Sequence, residues 1–362
     1  MAMKLCVKPI KEWSFYKGRP LMICGPCSAE TEDQLMETAR QLAELGKVDI
    51  FRAGIWKPRT RPDAFEGVGK EGLKWLRDVR RETGLPTATE VANANHVNEA
   101  LKFGVDVLWI GARTSANPFA MQEIADALQG VETTVLIKNP VNPDLELWIG
   151  AIERINRAGI NQIGAVHRGF SAYECTTYRN QPKWQLPIEL RRALPEIPLI
   201  CDPSHIGGAR RFIYEISQKA MDLNYDGLMI ESHCDPSKAL SDKNQQLTPN
   251  DLRELLSRLI LRQPVSNDSK FLDILGELRS QIDIYDDQLL DILEQRMGVA
   301  ETIGSYKKEN NITILQSSRW EEIIQKAIAK GDSKGLSEEF IQLLFKAVHQ
   351  ESINHQNKIM NS

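Results

Sequence analysis

The sequence contains no run of apolar residues long enough to span a membrane, and its N-terminus lacks the continuous apolar core of a signal peptide. It also lacks an excess of positive charge, because the formal net charge is −4, so neither nucleic acid nor an anionic membrane is an expected partner. The six cysteines are scattered, which argues against a disulfide framework. These absences favour a cytoplasmic protein that acts on small molecules.

A glycine-rich dinucleotide fingerprint is missing after the first predicted strand, which disfavours an open, doubly wound sheet. Instead, short β-branched runs alternate with longer amphipathic segments throughout the first 260 residues. The predicted strands are 21–28, 49–55, 86–91, 107–112, 134–139, 162–168, 199–204 and 227–233. Eight strand–helix units in this order predict an α/β fold in the form of a parallel (β/α)₈ TIM barrel.

The strand rhythm stops near residue 262. The stretch 263–270 is rich in Pro, Ser, Asn and Asp, a composition typical of linkers. Beyond it, helical periodicity covers roughly 270–309, 317–330 and 337–360. We therefore predict a barrel over residues 1–262, a linker over 263–270 and a small all-α domain over 271–362. The total of 362 residues suits a barrel of roughly 250 residues plus a second, smaller domain.

Unusual polar residues fall at the predicted strand ends, where barrel enzymes build their active sites. One group combines thiol, imidazole and carboxylate side chains and consists of Cys27, His205, Glu231 and Asp242. Mixed sulfur, nitrogen and oxygen donors suit a borderline divalent ion such as Mn, Fe, Co or Zn, whereas Mg or Ca prefers oxygen alone. Taken singly, each residue also has a structural explanation, such as a core cysteine or a helix cap.

A second group at the same strand ends is cationic and consists of Arg52, Lys57, Arg59, Arg113, Lys138 and Arg168. So many converging positive charges repel one another unless a multiply anionic substrate lies between them. Two phosphates and a carboxylate would match them. A redox pair of Cys24 and Cys27 is a competing interpretation, but such pairs normally open a helix rather than follow a barrel strand.

The strand-end motifs resemble, in order, those of the 3-deoxy-D-arabino-heptulosonate 7-phosphate (DAHP) synthase family. They are Gly25-Pro26-Cys27-Ser28, Lys57-Pro58-Arg59-Thr60, Ile110-Gly111-Ala112-Arg113, Arg168-Gly169, Asp202-Pro203-Ser204-His205 and Ala239-Leu240-Ser241-Asp242. The sequence is similar to the short type-I subgroup, which includes 3-deoxy-octulosonate 8-phosphate synthases. The resemblance implies condensation of phosphoenolpyruvate with erythrose 4-phosphate. The Lys57 loop favours this acceptor over arabinose 5-phosphate, which stays open as an alternative.

Carried over by position, the resemblance implies metal ligation by Cys27, His205, Glu231 and Asp242, with manganese the most expected ion. The residues implied to contact phosphoenolpyruvate are Arg52, Lys57, Arg113, Lys138 and Arg168. Arg59 and Thr60 would contact the acceptor's phosphate, and Asp202 is also expected to bind substrate. Lys57 is the expected proton donor. Arg61, His167 and residues 114–117 depart from the common family pattern.

In the tail, apolar residues recur at spacings of three and four, which predicts a long helix packed against other helices. The stripe comprises Leu275, Leu278, Ile282, Tyr285, Leu289, Ile292, Val299, Ile303 and Tyr306. Arg296 fills its single gap, and Lys307 projects from nearly the same face. Ser352 and Gln356, four residues apart, share a face of the last helix. A register-setting role for the buried cation remains an alternative.

These tail positions resemble the all-helical chorismate mutase family, which converts chorismate to prephenate. The resemblance implies a dimer in which Arg279 of one protomer joins Arg296 and Arg319 of the other around the substrate's anionic groups. Lys307 and Gln356 would contact the ether oxygen, and Ser352 would complete the lining. Trp320 stands where a glutamate is frequent, so a binding or dimerising module without catalysis is the alternative. Fusion to the barrel suggests feedback by chorismate or prephenate. A scaffold without any catalysis is the remaining alternative for the chain.

Overall fold

The computed structural model describes residues 5–58, 64–172, 177–315 and 317–361. The chain divides between Pro264 and Val265 into two compact units. The larger unit contains all the strands described below, and the smaller one is built from helices. Each unit is described by itself.

Eight strands of the larger unit close into a barrel in sequential order, and every neighbouring pair is parallel. The strands are β1 Leu21–Gly25, β2 Ile50–Arg52, β3 Thr87–Val91, β4 Val107–Ile110, β5 Thr134–Lys138, β6 Gln162–His167, β7 Leu199–Cys201 and β8 Gly227–Glu231. The predicted barrel is confirmed. Several strands end before their predicted limits, because the polar residues that follow leave the sheet and turn into loops over the barrel mouth.

Helices cover the outside of the barrel and follow the alternation of the sequence. They are α1 Glu32–Glu44, α2 Glu71–Thr83, α3 Ala94–Lys102, α4 Ala112–Ser115, α5 Pro118–Ala127, α6 Leu145–Arg157, α7 Gln185–Ala193, α8 Pro203–Gly207, α9 Ile213–Asp222 and α10 Pro249–Arg258. Polar side chains cap several of them; Thr248, for example, forms a capping box with Asp251 at the start of α10. Such caps satisfy backbone N–H groups that have no partner within the helix.

Apolar side chains form two buried layers. The larger lies between the sheet and the outer helices and includes Leu35, Trp148 and Ile152. The smaller fills the barrel interior, where Trp109 packs among aliphatic side chains together with Trp13 from the segment before β1. Because the barrel interior is filled by side chains, the polar residues at the strand ends lie on a rigid base.

The smaller unit consists of α11 Ser269–Glu309, α12 Ser317–Asp332 and α13 Glu338–Asn361. The face of α11 that packs on α13 contains Met297, Ala300 and Gly304. A side chain on Gly304 would approach the Gln356 Cα within 3.1 Å, so glycine permits the close approach of the two helices. Each of the three α11 residues follows a position of the predicted apolar stripe by one residue, so the packed face is rotated by about 100° from the stripe.

The stripe itself was expected to pack against other helices, and within the single chain this expectation is wrong. Its exposed members are Leu278, Ile282, Tyr285, Leu289, Ile292, Val299, Ile303 and Tyr306. The physical reason is that small residues, rather than large apolar ones, let α13 approach α11 closely. Across both units, none of the described helices combines the length and apolarity that a membrane crossing requires.

Candidate active sites

The four predicted metal ligands come together at the carboxyl ends of the strands. Sulfur or oxygen atoms of Cys27, Glu231 and Asp242 lie within 4.8 Å of one another, and Cys27 Sγ is 3.4 Å from Asp242 Oδ2. His205 approaches from α8, with Nε2 3.7 Å from Glu231 Oε1. Cys27 and Glu231 are fully buried. The four side chains therefore form one cluster although they are far apart in sequence.

Asp202 orients His205. The aspartate caps α8 by accepting a hydrogen bond from the His205 backbone N–H, and its Oδ2 lies 2.8 Å from Nδ1 of the same histidine. A proton on Nδ1 leaves Nε2 free to act as a ligand, the usual arrangement of metal-binding histidines. Asp202 also pairs with Lys138 Nζ at 2.7 Å and is fully buried. Predicted to contact substrate, it instead supports two other site residues in this structure.

The electrostatics of the cluster fit a bound cation. Burial raises the pKa of the Cys27 thiol, and the nearby Glu231 carboxylate adds to this effect. A thiolate at this position therefore needs a positive charge beside it. Glu231 Oε1 is buried without a hydrogen bond among the described residues, although Arg52 Nη2 lies 3.3 Å away. A thiol, an imidazole and two carboxylates match a borderline divalent ion better than Mg or Ca.

A cavity of about 220 Å³ adjoins the cluster. It is lined by Lys57, Pro58, Glu90, Gly111, Ala112, Arg113, Lys138, Arg168, Arg179, His205 and Asp242. Four of the predicted cations, Lys57, Arg113, Lys138 and Arg168, are thus at its wall. Burial lowers the pKa of Arg168 to about 10, which still leaves the guanidinium charged at neutral pH. The cavity is suited to a small, strongly anionic ligand.

One of the predicted substrate contacts is placed differently, and two others lie outside the described residues. Arg52 is not among the residues that line the cavity: it is fully buried beneath the cluster, with its guanidinium 4.7 Å from the centroid of the Trp109 ring. Its Nη2 also donates to the Cys27 carbonyl, so it supports the ligand loop. Arg59 and Thr60 lie outside the described residues, and their predicted contact with the acceptor stays a prediction.

Glu90 and Arg179 also belong to the site, although neither was predicted from the sequence. Glu90 reaches the cavity from β3, and a Cβ atom at position 111 would come within 2.1 Å of its carboxylate, so a larger residue there would displace the Glu90 side chain. Arg179 donates to Asp242 Oδ1 at 2.9 Å. The inward alternation of β3 was a usable signal for Glu90. No local pattern marks Arg179, because it lies in the loop between β6 and α7.

The helical unit gathers only part of its predicted set. Arg296 of α11 donates a hydrogen bond to Ser352 Oγ of α13. Lys307 Nζ donates to the Ile314 carbonyl at 2.6 Å. Gln356 is buried, and its Oε1 has no hydrogen-bond partner within the described ranges. Partly buried cationic and amide groups therefore line one face of the α11–α13 pair.

The other two predicted arginines are remote from this face or paired elsewhere. Arg279 is exposed and precedes Arg296 by 17 residues, about 25 Å along the helix axis. Arg319 is exposed and pairs with Glu322 on its own helix. Trp320, at the position where a glutamate is frequent, packs against His349 with ring centroids 4.1 Å apart. One chain alone does not bring Arg279 to the other residues.

Fold and site together define a (β/α)₈ enzyme with an anion-binding cavity next to a potential metal site. The chain belongs to the DAHP synthetase I family, whose model matches residues 14–262. The chorismate mutase type II model matches residues 278–357. The chain therefore carries a transferase domain and an isomerase domain, which makes it a bifunctional enzyme of the shikimate pathway.

Two of the following relatives agree with the barrel assignment by name, and a third is named for a different product. The phospho-2-dehydro-3-deoxyheptonate aldolase of Thermotoga maritima is 33% identical over 238 residues, which cover 66% of this chain and 68% of that protein. A crystal structure of the DAHP synthase of Thermotoga maritima superimposes with a TM-score of 0.60 at 30% identity, covering 72% of this chain and 71% of that one. The 2-dehydro-3-deoxyphosphooctonate aldolase of Variovorax paradoxus is 29% identical, covering 70% of this chain and 93% of that protein.

Proposed function

We propose that the barrel condenses phosphoenolpyruvate with erythrose 4-phosphate to DAHP and inorganic phosphate, with manganese as the most expected bound metal. The observation that carries this proposal is the position of the Cys27, Glu231 and Asp242 cluster beside the cationic cavity. His205 completes the ligand set. A reduced thiol ligand needs a reducing compartment, so a cytoplasmic location is part of the proposal.

In this reaction the methylene carbon of phosphoenolpyruvate bonds to the aldehyde carbon, water adds at the neighbouring carbon and phosphate leaves. A bound divalent metal supplies Lewis acidity at the aldehyde oxygen. Arg113, Lys138 and Arg168 hold the anionic groups of phosphoenolpyruvate and stabilise charge that shifts during bond formation. Lys57 lines the cavity, and its Nζ lies 3.0 Å from the Cys27 carbonyl, so it is close enough to the metal ligands to donate a proton to the developing alkoxide.

A second candidate reaction uses arabinose 5-phosphate as the acceptor. The similarity to the Variovorax paradoxus 2-dehydro-3-deoxyphosphooctonate aldolase, which covers 93% of that protein, favours it. The Lys57-Pro58-Arg59-Thr60 loop and the match to the Thermotoga maritima enzyme favour erythrose 4-phosphate.

The deciding experiment follows loss of phosphoenolpyruvate by manganese-loaded protein offered each sugar in parallel, with a chelator added to a third sample. We expect loss with erythrose 4-phosphate only, and none after chelation. Loss with arabinose 5-phosphate alone would replace the acceptor assignment. Activity that survives exhaustive chelation would contradict the metal dependence.

For the helical unit we propose rearrangement of chorismate to prephenate in a dimer. This reaction needs no acid, base or nucleophile, only fixed charges and a restrained substrate. Arg296, Lys307, Ser352 and Gln356 supply one wall, and Arg279 of a second copy supplies the missing cation. The exposed apolar residues of α11 support pairing with that copy, because an apolar face of this length is rarely left in water.

A mixing experiment tests whether two copies share the site. Arg279→Ala and Arg296→Ala proteins are each expected to be inactive toward chorismate. When they are mixed and allowed to exchange subunits, each heterodimer regains one site with both arginines intact. Random exchange puts about half of the chains into heterodimers, and one of the two sites in each heterodimer is active. About a quarter of wild-type activity is therefore expected. No recovery despite demonstrated exchange would rule out a shared site.

We further propose that prephenate or chorismate bound to the helical unit slows the barrel. Support comes from the fusion of an early and a late step of one pathway in a single chain. The expected result is inhibition of phosphoenolpyruvate loss by prephenate in the wild-type protein and its disappearance in Arg296→Ala. Equal inhibition of both proteins, or of a chain ending at residue 262, would refute this regulation.

A further inference from the structure

The segment between β8 and α10 carries the candidate ligand Asp242 and, three residues later, two consecutive buried glutamines. Gln245 is 1% exposed and Gln246 is not exposed at all. Asp242 has a φ of +48°, a left-handed conformation that is uncommon outside glycine and persists only where surrounding contacts enforce it. The contacts of this segment therefore determine where the Asp242 carboxylate points.

Gln245 connects two candidate ligands. Its Nε2 donates to Glu231 Oε2 at 2.8 Å, and its Oε1 accepts a hydrogen bond from Arg179 Nη1 at 2.8 Å. The same Arg179 nitrogen donates to Asp242 Oδ1. The amide orientation is unambiguous, because a carboxylate only accepts and a guanidinium only donates. These hydrogen bonds hold Glu231 Oε2 and Asp242 Oδ1. The second oxygen of each carboxylate is turned toward the other candidate ligands: Glu231 Oε1 faces His205, and Asp242 Oδ2 faces Cys27.

Gln246 connects the third ligand to the same segment. Its Oε1 accepts a hydrogen bond from the Cys27 backbone N–H at 2.9 Å, and its Nε2 donates to the Ser241 carbonyl at 2.8 Å. The side chain thus joins the turn after β1 to the residue that precedes Asp242. Both polar atoms of the Gln246 side-chain amide are thus bonded to backbone groups.

Glutamine suits these positions for an electrostatic reason. Arg52 Nη2 already brings one positive charge within 3.3 Å of Glu231 Oε1, and the neutral Gln245 amide donates a hydrogen bond to the other carboxylate oxygen without adding a second one. Arg179 does carry a charge, but its side chain is 47% exposed. Solvent screens that charge, so the principal orienting contacts are those of the two glutamines.

We propose that Gln245 and Gln246, assisted by Arg179, are positioning residues that set the geometry of Cys27, Glu231 and Asp242 and thereby the metal affinity of the barrel. The inference deepens the proposed function and rests on its metal site, but not on the identity of the acceptor sugar. Support of this kind for metal ligands is typically worth about 10- to 100-fold in affinity.

The test titrates metal-free, full-length protein with Co²⁺ alone and records both the dissociation constant and the thiolate-to-cobalt absorption. Gln245→Met and Gln246→Met keep the approximate side-chain volume but remove the hydrogen bonds. Each is expected to weaken Co²⁺ binding about 10- to 100-fold. Because Gln246 holds Cys27, its variant should also lose thiolate absorption at saturating Co²⁺, whereas Gln245→Met should keep it.

Gln34→Met serves as the matched control. Gln34 is partly buried, and its side chain accepts a hydrogen bond from the Glu30 backbone N–H, outside the ligand cluster, so its variant should bind Co²⁺ like the wild type. Unfolding of each metal-free variant separates positioning from general destabilisation. Wild-type affinity in both glutamine variants would overturn the inference. So would an affinity loss matched by an equal loss in Gln34→Met.

The outcomes for the metal network and for the proposed reaction are separable. If the wild-type protein binds Co²⁺ but does not consume erythrose 4-phosphate, the acceptor assignment fails and the variants still decide the role of the glutamines. If erythrose 4-phosphate is consumed and the variants bind Co²⁺ normally, the reaction stands and the positioning role is wrong.

Discussion

The barrel and the helical unit build their sites in opposite ways. In the barrel, residues from the turn after β1, from α8, from β8 and from the loop after β8 meet within one chain, and the ligand cluster is largely buried. In the helical unit, Arg279 and Arg296 lie on one helix about 25 Å apart, and much of the apolar surface of α11 is exposed. A closed sheet brings all its strand ends around one axis. A single long helix brings together only neighbours three or four residues apart, so under the proposed function Arg279 acts in the site of another copy.

The largest expected effect separates the two sites completely. Cys27→Ala removes the thiol ligand and should lower the condensation rate on the order of a thousandfold, because Lewis-acid stabilisation is worth several kcal/mol. Chorismate conversion should stay within about twofold of wild type. Cys6→Ala, which changes an exposed thiol, is the control. A parallel loss of both activities in Cys27→Ala would show that the units depend on each other more than their structures suggest.

The converse change should affect the helical unit alone. Arg296→Ala removes a preorganised cation and is expected to slow chorismate conversion by roughly 100- to 1,000-fold. Phosphoenolpyruvate loss in the absence of prephenate should be unaffected. Lys326→Ala, on the exposed surface of α12, should leave both rates unchanged. Retention of mutase activity in Arg296→Ala would instead favour a helical unit that binds without catalysing.

A charge on the exposed face of α11 tests whether a second copy covers it. Leu289→Glu should weaken association through the helical unit by about 1 to 3 kcal/mol, since a carboxylate would be buried at the interface. Mutase activity should then fall as the protein is diluted, while condensation per chain is retained. Gln288→Glu places the same charge one position away and should have little effect. Identical sedimentation and concentration dependence of both variants would contradict this interface.

The smallest effect concerns the base of the barrel site. Burial lowers the pKa of His167 to about 4, while Nδ1 accepts from the Tyr225 hydroxyl and Nε2 donates to the Pro182 carbonyl. In the unfolded chain the His167 imidazole has an ordinary pKa of about 6.5. The contribution of the neutral ring to the free energy of unfolding is therefore complete above that pH and declines as the pH falls toward 4. We expect a loss of about 2 kcal/mol between pH 8 and pH 5.

Urea unfolding at the two pH values, followed through the barrel tryptophans, measures this effect. His167→Gln should be less stable at pH 8 but should show a flatter pH dependence. Full retention of the pH dependence in that variant would assign it to other groups.

Much of the barrel site was predictable because its determinants are local. Each strand and the motif that follows it could be recognised separately, and the parallel arrangement alone brings their ends together. The four ligands and the cavity cations Lys57, Arg113, Lys138 and Arg168 follow from that rule. In the helical unit, spacing was sufficient to place Arg296 and Lys307 on nearly one face of the first helix and Ser352 and Gln356 on one face of the last.

By itself, the sequence determined the barrel, its strand starts, the four candidate ligands at the strand ends and the helical character of the tail, since each depends on periodicity or on a short motif. Only the tertiary structure decided that Arg52 and Asp202 support the ligands, that Glu90 lines the cavity, and that Arg179, Gln245 and Gln246 join three ligands. It also decided which face of α11 packs on α13. These features depend on side chains meeting across long sequence separations, where packing and hydrogen-bond geometry, rather than local pattern, select the partner.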